Sequence, residues 1–214
     1  MRDLHCHILP GVDDGARNLV ESLEMLKAAQ AVGVTSITCT PHCRDPYFDY
    51  LAAWKAYEEL KAVAGSFELQ MGFEVNYRKL MELGLAWAQY LHFDGSNELL
   101  LELPTGARSS SYADYERTIY ELQVMGYDVI IAHPERYHAI QKHPELALEL
   151  VRMGCKLQVS ADFIEGGRFG AERKPAKKLL RKGLISYIAS DAHRIEHYES
   201  FSKAYHKFSH LLMG

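Results

Sequence analysis

The sequence predicts a parallel α/β fold closed into a TIM-like barrel, and three observations carry that prediction. First, short β-branched or apolar runs alternate with stripes of helical spacing along the whole chain. Second, the runs are almost continuously apolar, as expected of strands buried on both faces. Third, His5, His7, His42, Glu74, Glu102, His133, Asp191 and His193 each stand at or just past the C-terminal end of a run. In a barrel those ends converge on one rim. In an open sheet they would be strung over roughly 30 Å, at about 4.8 Å per strand.

The elements follow in order. Residues 4–6 form the first strand, and alternation places His5 and His7 on one face with Cys6 opposed. Leu19, Leu23 and Leu26 mark a helix over 18–32, with Asn18 and Glu21 as a capping box and Gly33 as its stop. Residues 35–40 are a strand that runs into Pro41-His42. A helix over 51–64 leads to a strand over 67–73 ending at Glu74, and a helix over 78–90 leads to a strand over 98–101 ending at Glu102. Tyr112, Tyr115, Ile119 and Leu122 form a helical stripe closed by Gly126, before a strand over 127–132 that meets His133. Pro144 and Gly154 bracket the next helix, followed by a strand over 156–160. Pro175 and Gly183 bracket another, followed by a strand over 184–189 that ends at Ser190-Asp191-Ala192-His193. That makes seven strands. No linker or low-complexity tract divides them, so residues 1–214 are read as one domain.

The chain has 214 residues, 48% hydrophobic and 24% charged, the balance of a soluble globular protein. Its net charge of −4 gives no whole-protein reason to expect nucleic-acid binding. No basic start precedes an apolar leader, and no apolar run approaches the roughly 18 residues of a membrane span. Cys6, Cys39, Cys43 and Cys155 include no Cys-x-x-Cys and are read as reduced thiols of a cytoplasmic protein.

Each polar strand end has an ordinary explanation taken alone, as a turn residue or a solvated side chain. Eight at the same end of six strands point to a shared site. A His and carboxylate set without cysteine suits zinc, manganese or ferrous iron. It exceeds the needs of one ion, so two or three ions with a bridging carboxylate are expected. Such clusters activate water and clamp both oxygens of a phosphoryl transfer. Arg44, Arg136 and Arg194 are candidates for holding a substrate oxyanion, with Arg136, three residues past His133, best placed. His92, His138, His143, His197, His206 and His210 lack this placement and are assigned to the surface. Cys6, Cys39 and Cys43 are read as small buried side chains, with the rim as the alternative for Cys43 because it stands beside His42.

The motifs His5-Cys6-His7, Thr40-Pro41-His42, Gly72-Phe73-Glu74, Ala132-His133-Pro134-Glu135-Arg136-Tyr137 and Ser190-Asp191-Ala192-His193 resemble the polymerase and histidinol phosphatase (PHP) superfamily. With Ile8-Leu9-Pro10-Gly11 and Asp13-Asp14-Gly15-Ala16, the opening is similar to one branch, the manganese-dependent tyrosine-protein phosphatases of Gram-positive capsule and exopolysaccharide operons. The resemblance implies the PHP fold, a distorted (β/α)7 barrel with a trinuclear centre. One ion would be held by His5, His7, Glu74 and Asp191, and a second by Glu74, Glu102 and His133. The third would be held by His42, His193 and Asp14, with Asp13 as the competing neighbour. It implies manganese, with iron or zinc as alternatives, and catalytic roles for Arg136, His42, Asp191 and His193. The implied substrate is a phosphotyrosine protein, the tyrosine-rich tail of a bacterial tyrosine kinase, with no nucleic acid and no membrane insertion.

Two departures stand out. Cys43 occupies the place of a second histidine, and a family arginine beyond the last histidine has no match, leaving Arg194 as its substitute for substrate binding. A cysteine-dependent mechanism needs Arg six positions after Cys. Those positions hold Val12, Asp45, Asp49 and Ala161, which rejects it. The alternatives are a hydrolase of histidinol phosphate or another small phosphoester, an amidohydrolase, and a non-catalytic metal-binding partner in a polysaccharide-synthesis complex. The amidohydrolase would usually carry a bridging lysine where Glu74 and Glu102 stand.

Overall fold

The computed structural model describes residues 1–168 and 170–213. Nine strand segments alternate with helices: β1 (Arg2–Cys6), α1 (Leu19–Ala31), β2 (Ser36–Cys39), β3 (His42–Cys43), α2 (Tyr50–Val63), β4 (Glu68–Met71), β5 (Glu74–Asn76), α3 (Tyr77–Leu83), α4 (Ala88–Leu91) and β6 (Glu98–Glu102). Then come α5 (Tyr112–Val124), β7 (Asp128–Ala132), α6 (His138–Lys142), α7 (Glu145–Arg152), β8 (Lys156–Ser160), α8 (Arg173–Arg181), β9 (Tyr187–Ala189) and α9 (His197–Phe208). Every strand pair is parallel. Pairing defines two sheets, β1-β2-β4 and β3-β5-β6-β7-β8-β9.

The two sheets meet at two seams. At one the chain itself runs from β2 into β3 and from β4 into β5, with backbone bonds carrying the pairing up to and past the breaks. At the other, backbone bonds join β1 to the end of β9. Gly72 N donates to Cys39 O at 2.9 Å and Glu74 N to Pro41 O at 3.1 Å. On the other side Asp191 N donates to His5 O at 2.8 Å and His7 N to Ala192 O at 2.9 Å. Seven of the nine segments fall on the predicted strands, and β3 and β5 are short additional segments just beyond the predicted strands 35–40 and 67–73, each after a break. One break falls at Pro41, which has no N–H to give to a ladder. The other falls at Gly72, where a Cβ would sit 2.4 Å from the Phe93 ring, so that only glycine fits against it. Each broken strand resumes with a site residue, His42 or Glu74.

The strands are buried on both faces. Along β6, Leu99 and Leu101 join the main core with helix residues such as Leu26, Ile119 and Leu122. Leu100, between them, packs with Leu4, Phe93, Ile130, Ala132 and Ala189 in a separate cluster drawn largely from β1, β6, β7 and β9. The period of two therefore sorts β6, β7 and β9 between a helix-facing core and an inner cluster between the strands.

Helix ends follow the predicted signals with two changes. Asn18 accepts from Glu21 N at 3.1 Å, but the Glu21 carboxylate turns to Arg17 rather than to Asn18, so the capping box is half formed. The predicted helix over 78–90 is broken, because Gly84 takes φ 87° and a 3-10 turn separates α3 from α4. No helix among the described residues is long and apolar enough to cross a membrane.

Candidate metal centre

The site begins with β1 and the loop after it. His5 and His7 are fully buried, with Nε2 atoms 3.2 Å apart. Gly15 passes directly over His7: a Cβ there would lie 2.0 Å from the His7 carbonyl oxygen. With Ala16 N donating to His7 O, this contact folds the loop back and brings two aspartates to the rim. They do different work. Asp13 Oδ2 bonds His7 Nδ1 at 2.8 Å and accepts from His42 N at 3.1 Å, so it orients His7 from behind. Asp14 Oδ1 faces inward, 3.1 Å from His42 Nε2 and 3.3 Å from His193 Nε2.

Glu74 stands at the middle. Its Oε2 lies 2.6 Å from His42 Nδ1, 3.5 Å from His7 Nε2 and 3.6 Å from His5 Nε2, and its Oε1 lies 2.7 Å from His133 Nε2. Glu102 is 3.9 Å from His133 Nε2. Asp191 Oδ1 is 3.4 Å from His5 and 3.3 Å from His7. Four groups have one donor atom from each member within 4.8 Å of the others: His7, Asp14, His42 and His193; His5, His7 and Glu74; His5, His133 and Asp191; and Glu74, Glu102 and His133. His133 and Asp191 reach this cluster from left-handed backbone, φ 33° and 49°, unusual for non-glycine residues and concentrated at functional sites.

The electrostatics follow from the crowding. Burial pushes His5 and His42 down, but the carboxylates outweigh it, Asp191 and Glu74 raising His5 to about 10 and Glu74 raising His42 to about 9. Burial likewise opposes ionisation of Glu74 and Asp191. His42 and His5 around the first, and Arg136 and His5 around the second, hold both well below the usual carboxylate range. Even so, among the described residues Asp14 Oδ1, His42 Nδ1, Glu74 Oε2, His133 Nδ1 and His193 Nε2 are buried and make no hydrogen bond of good geometry, close as their ion-pair neighbours stand. Such atoms cost about 1–3 kcal/mol each when nothing compensates them. Nitrogen and carboxylate oxygen without sulfur is a donor set for manganese, iron or zinc, and these residues fit a multinuclear centre.

The predicted arginines prove unequal. Arg136 is buried, with Nη1 2.7 Å from Asp191 Oδ2 and Nη2 3.0 Å from Asp162 Oδ2. Arg194 is turned to main-chain carbonyls, Asp14 O at 3.0 Å and Gly15 O at 2.6 Å, so it clasps the loop instead of facing the cluster. Arg44 Nη2 lies 2.9 Å from His42 Nε2. An open cavity of about 850 Å³ lies over the site, lined by Asp14, Arg136, Arg168, Asp191, His193 and Arg194 among others.

One open reading is decided and one assignment is corrected. Cys43 is a buried side chain and does not line the rim, and burial pushes its thiol up to about 12. His197 is not a plain surface residue, since its Nδ1 accepts from His193 N at 3.1 Å and so helps set His193. Sequence reasoning also missed the supports. Gln158 Oε1 holds His5 Nδ1 at 3.0 Å, and Ser160 Oγ donates to Asp191 Oδ2 at 3.1 Å. Their signal was present as polar side chains at alternate positions of a buried strand.

A parallel α/β chain that gathers buried histidines and carboxylates at its strand ends has the design of a metal-dependent hydrolase. The comparisons narrow the class. The chain belongs to the capsular polysaccharide synthesis CpsB/CapC family, matched over residues 1–206. Tyrosine-protein phosphatase YwqE of Bacillus subtilis is 34% identical over 203 residues, 92% of this chain and 78% of that protein. A putative tyrosine-protein phosphatase CapC of Staphylococcus aureus is 35% identical over 204 residues, 91% of this chain and 78% of that protein. A solved structure from the work on YwqE of Bacillus subtilis and CpsB of Streptococcus pneumoniae, described as unique metal-dependent tyrosine phosphatases, aligns with a TM-score of 0.80. It is 30% identical and covers 97% of this chain and 87% of its own.

Proposed function

We propose that the chain is a metal-dependent protein-tyrosine phosphatase. The observation that carries this reading is Glu74, whose two oxygens reach two different groups of histidines within one buried cluster. In this reading residues 1–214 are a single PHP domain, and the two sheets joined at both seams act as one distorted seven-stranded barrel. His5, His7, Glu74 and Asp191 would hold one ion, Glu74, Glu102 and His133 a second, and Asp14, His42 and His193 a third, with manganese the leading candidate.

A divalent cluster supplies Lewis acidity toward phosphoryl oxygens and lowers the pKa of water to near neutrality. The chain does the rest. Asp13 and Gln158 fix the ring orientations of His7 and His5 from behind. His42, Asp191 and His193 act through the centre that they complete. Arg136, held by Asp191 and Asp162, adds fixed positive charge where the phosphoryl group gains negative charge. The burial of the cluster keeps those charges in a low-dielectric setting, where they count for more than in water. The physiological substrate in this reading is a phosphotyrosine protein in capsule or exopolysaccharide synthesis, the tail of a tyrosine kinase.

Phosphate release from a phosphotyrosine peptide and from histidinol phosphate, after chelation and after manganese is restored, tests the proposal. Manganese-dependent turnover of the peptide is expected to dominate. A preference for histidinol phosphate would transfer the reading to small phosphoesters, and metal binding without turnover of either would leave a non-catalytic partner.

A further inference from the structure

Of the arginines around the large cavity, two are already committed. The Arg136 guanidinium sits between Asp191 and Asp162, and Arg194 is spent on the carbonyls of Asp14 and Gly15. Arg168 is different. It lines the same cavity as Asp14, Asp191 and His193. Among the described residues it makes a single ion pair, Nη2 to Asp14 Oδ2 at 3.7 Å, too long for a hydrogen bond. Its side chain is 48% exposed. Asp14 Oδ2 has a second cation at similar range, Arg44 Nη2 at 3.6 Å, while its Oδ1 faces His42 and His193. Arg168 therefore stands over the mouth of the site with its donors unspent.

The loop that presents it is held in place. Gly167 takes φ 88°, and a Cβ there would lie 2.4 Å from Glu172 Oε2, so glycine is required just before Arg168. Gly167 N donates to Asp162 O at 3.0 Å, and Ala171 N donates to Glu172 Oε2 at 2.7 Å. Asp162 also holds Arg136. One short segment thus fixes a buried guanidinium by a side chain and an exposed one by the main chain.

We infer that Arg168 is a substrate-binding residue that grips the non-bridging phosphate oxygens of a phosphomonoester entering the cavity over the metal centre. The inference rests on the phosphatase reading and adds to it a residue on the loop after β8. A guanidinium with free donors suits a phosphate dianion, which it meets with two parallel hydrogen bonds. Asp14 keeps Arg168 aimed at the mouth without occupying those donors.

The test uses the metal-loaded full chain with inorganic phosphate as the probe, its affinity measured by calorimetry, beside KM and kcat for a phosphotyrosine peptide. Arg168→Ala is expected to weaken phosphate binding and raise KM about tenfold or more, the scale of one lost charge-assisted contact. Metal content is expected to stay unchanged, and Arg168→Lys should recover part of the loss. Lys203→Ala removes the same charge from the same cavity wall, but Lys203 pairs with Glu165 and Glu199, so phosphate affinity should hold. Wild-type phosphate affinity in Arg168→Ala overturns the inference, as does an equal loss in Lys203→Ala, which would mean general attraction only. Loss of metal from Arg168→Ala also overturns it, because the residue would then serve Asp14. If the wild-type chain hydrolyses no phosphoester yet binds phosphate through Arg168, the anion site stands and the proposed reaction falls.

Discussion

Glu74 is the residue on which the centre turns, since His5, His7, His42 and His133 all lie within 3.6 Å of its two oxygens. Glu74→Gln keeps the shape and removes the shared charge. It is expected to lose at least one metal and nearly all turnover while remaining folded, which metal analysis beside circular dichroism checks. The same crowding makes a pH prediction for chelator-stripped protein. His5 and His42 are raised from 6.5 to about 10 and about 9. Their protonated rings therefore contribute stability in full below pH 6.5, and that contribution is lost as pH rises through 9 and 10. Tm of the stripped protein should fall across that window, and added manganese should flatten the fall. A flat profile without metal would show that the imidazoles are not carrying charge against Glu74 and Asp191. The His and acidic residues were legible because strand ends and a period of two place them. Neighbouring Asp13 and Asp14 lie in a loop without a period, so only their contacts separate them. Arg168 lies in a loop for the same reason out of reach.

At the scale of elements, glycine signals succeeded where one residue closes a helix: Gly33, Gly126, Gly154 and Gly183 all take positive φ. Gly84 was the same signal, but apolar spacing on both sides hid the break between α3 and α4. The interrupted strands show the opposite case. Pro41 and Gly72 were visible in the sequence, yet only the bonds from Gly72 N and Glu74 N explain how the strands resume beyond them. Gly72→Ala would drive a methyl group into the buried Phe93 ring, which belongs to the inner cluster between the strands. A loss of about 1–3 kcal/mol is expected, the usual cost of overpacking. Chemical denaturation measures it, and a midpoint equal to that of the wild type would mean that Phe93 yields freely.

Across the whole molecule, the parallel α/β pattern and the gathering of the polar strand ends were readable, because alternation and polar termini are local features. The division into two sheets was not, since it depends on hydrogen bonds between distant segments. Those seam bonds predict a pattern of amide exchange. The His7 and Asp191 amides, bonded to Ala192 and His5, should exchange only through global unfolding if the seams belong to the cooperative core. Fast exchange at both, with slow exchange along β6 and β7, would mean that the β1–β9 seam opens alone.

The seam between β1 and β9 joins positions 186 residues apart, Cys6 with Ala192, and the histidines beside it belong to the same candidate centre. A metal ion gripped there would also be a cross-link over that span. Its binding energy is gained only by the folded state, so occupancy and stability rise together, as they do when a staple closes a long loop. A nascent chain that has not yet extended past His193 lacks the last ligands of that staple, so metal capture is expected only once β9 and the residues just after it have emerged to close the seam on β1.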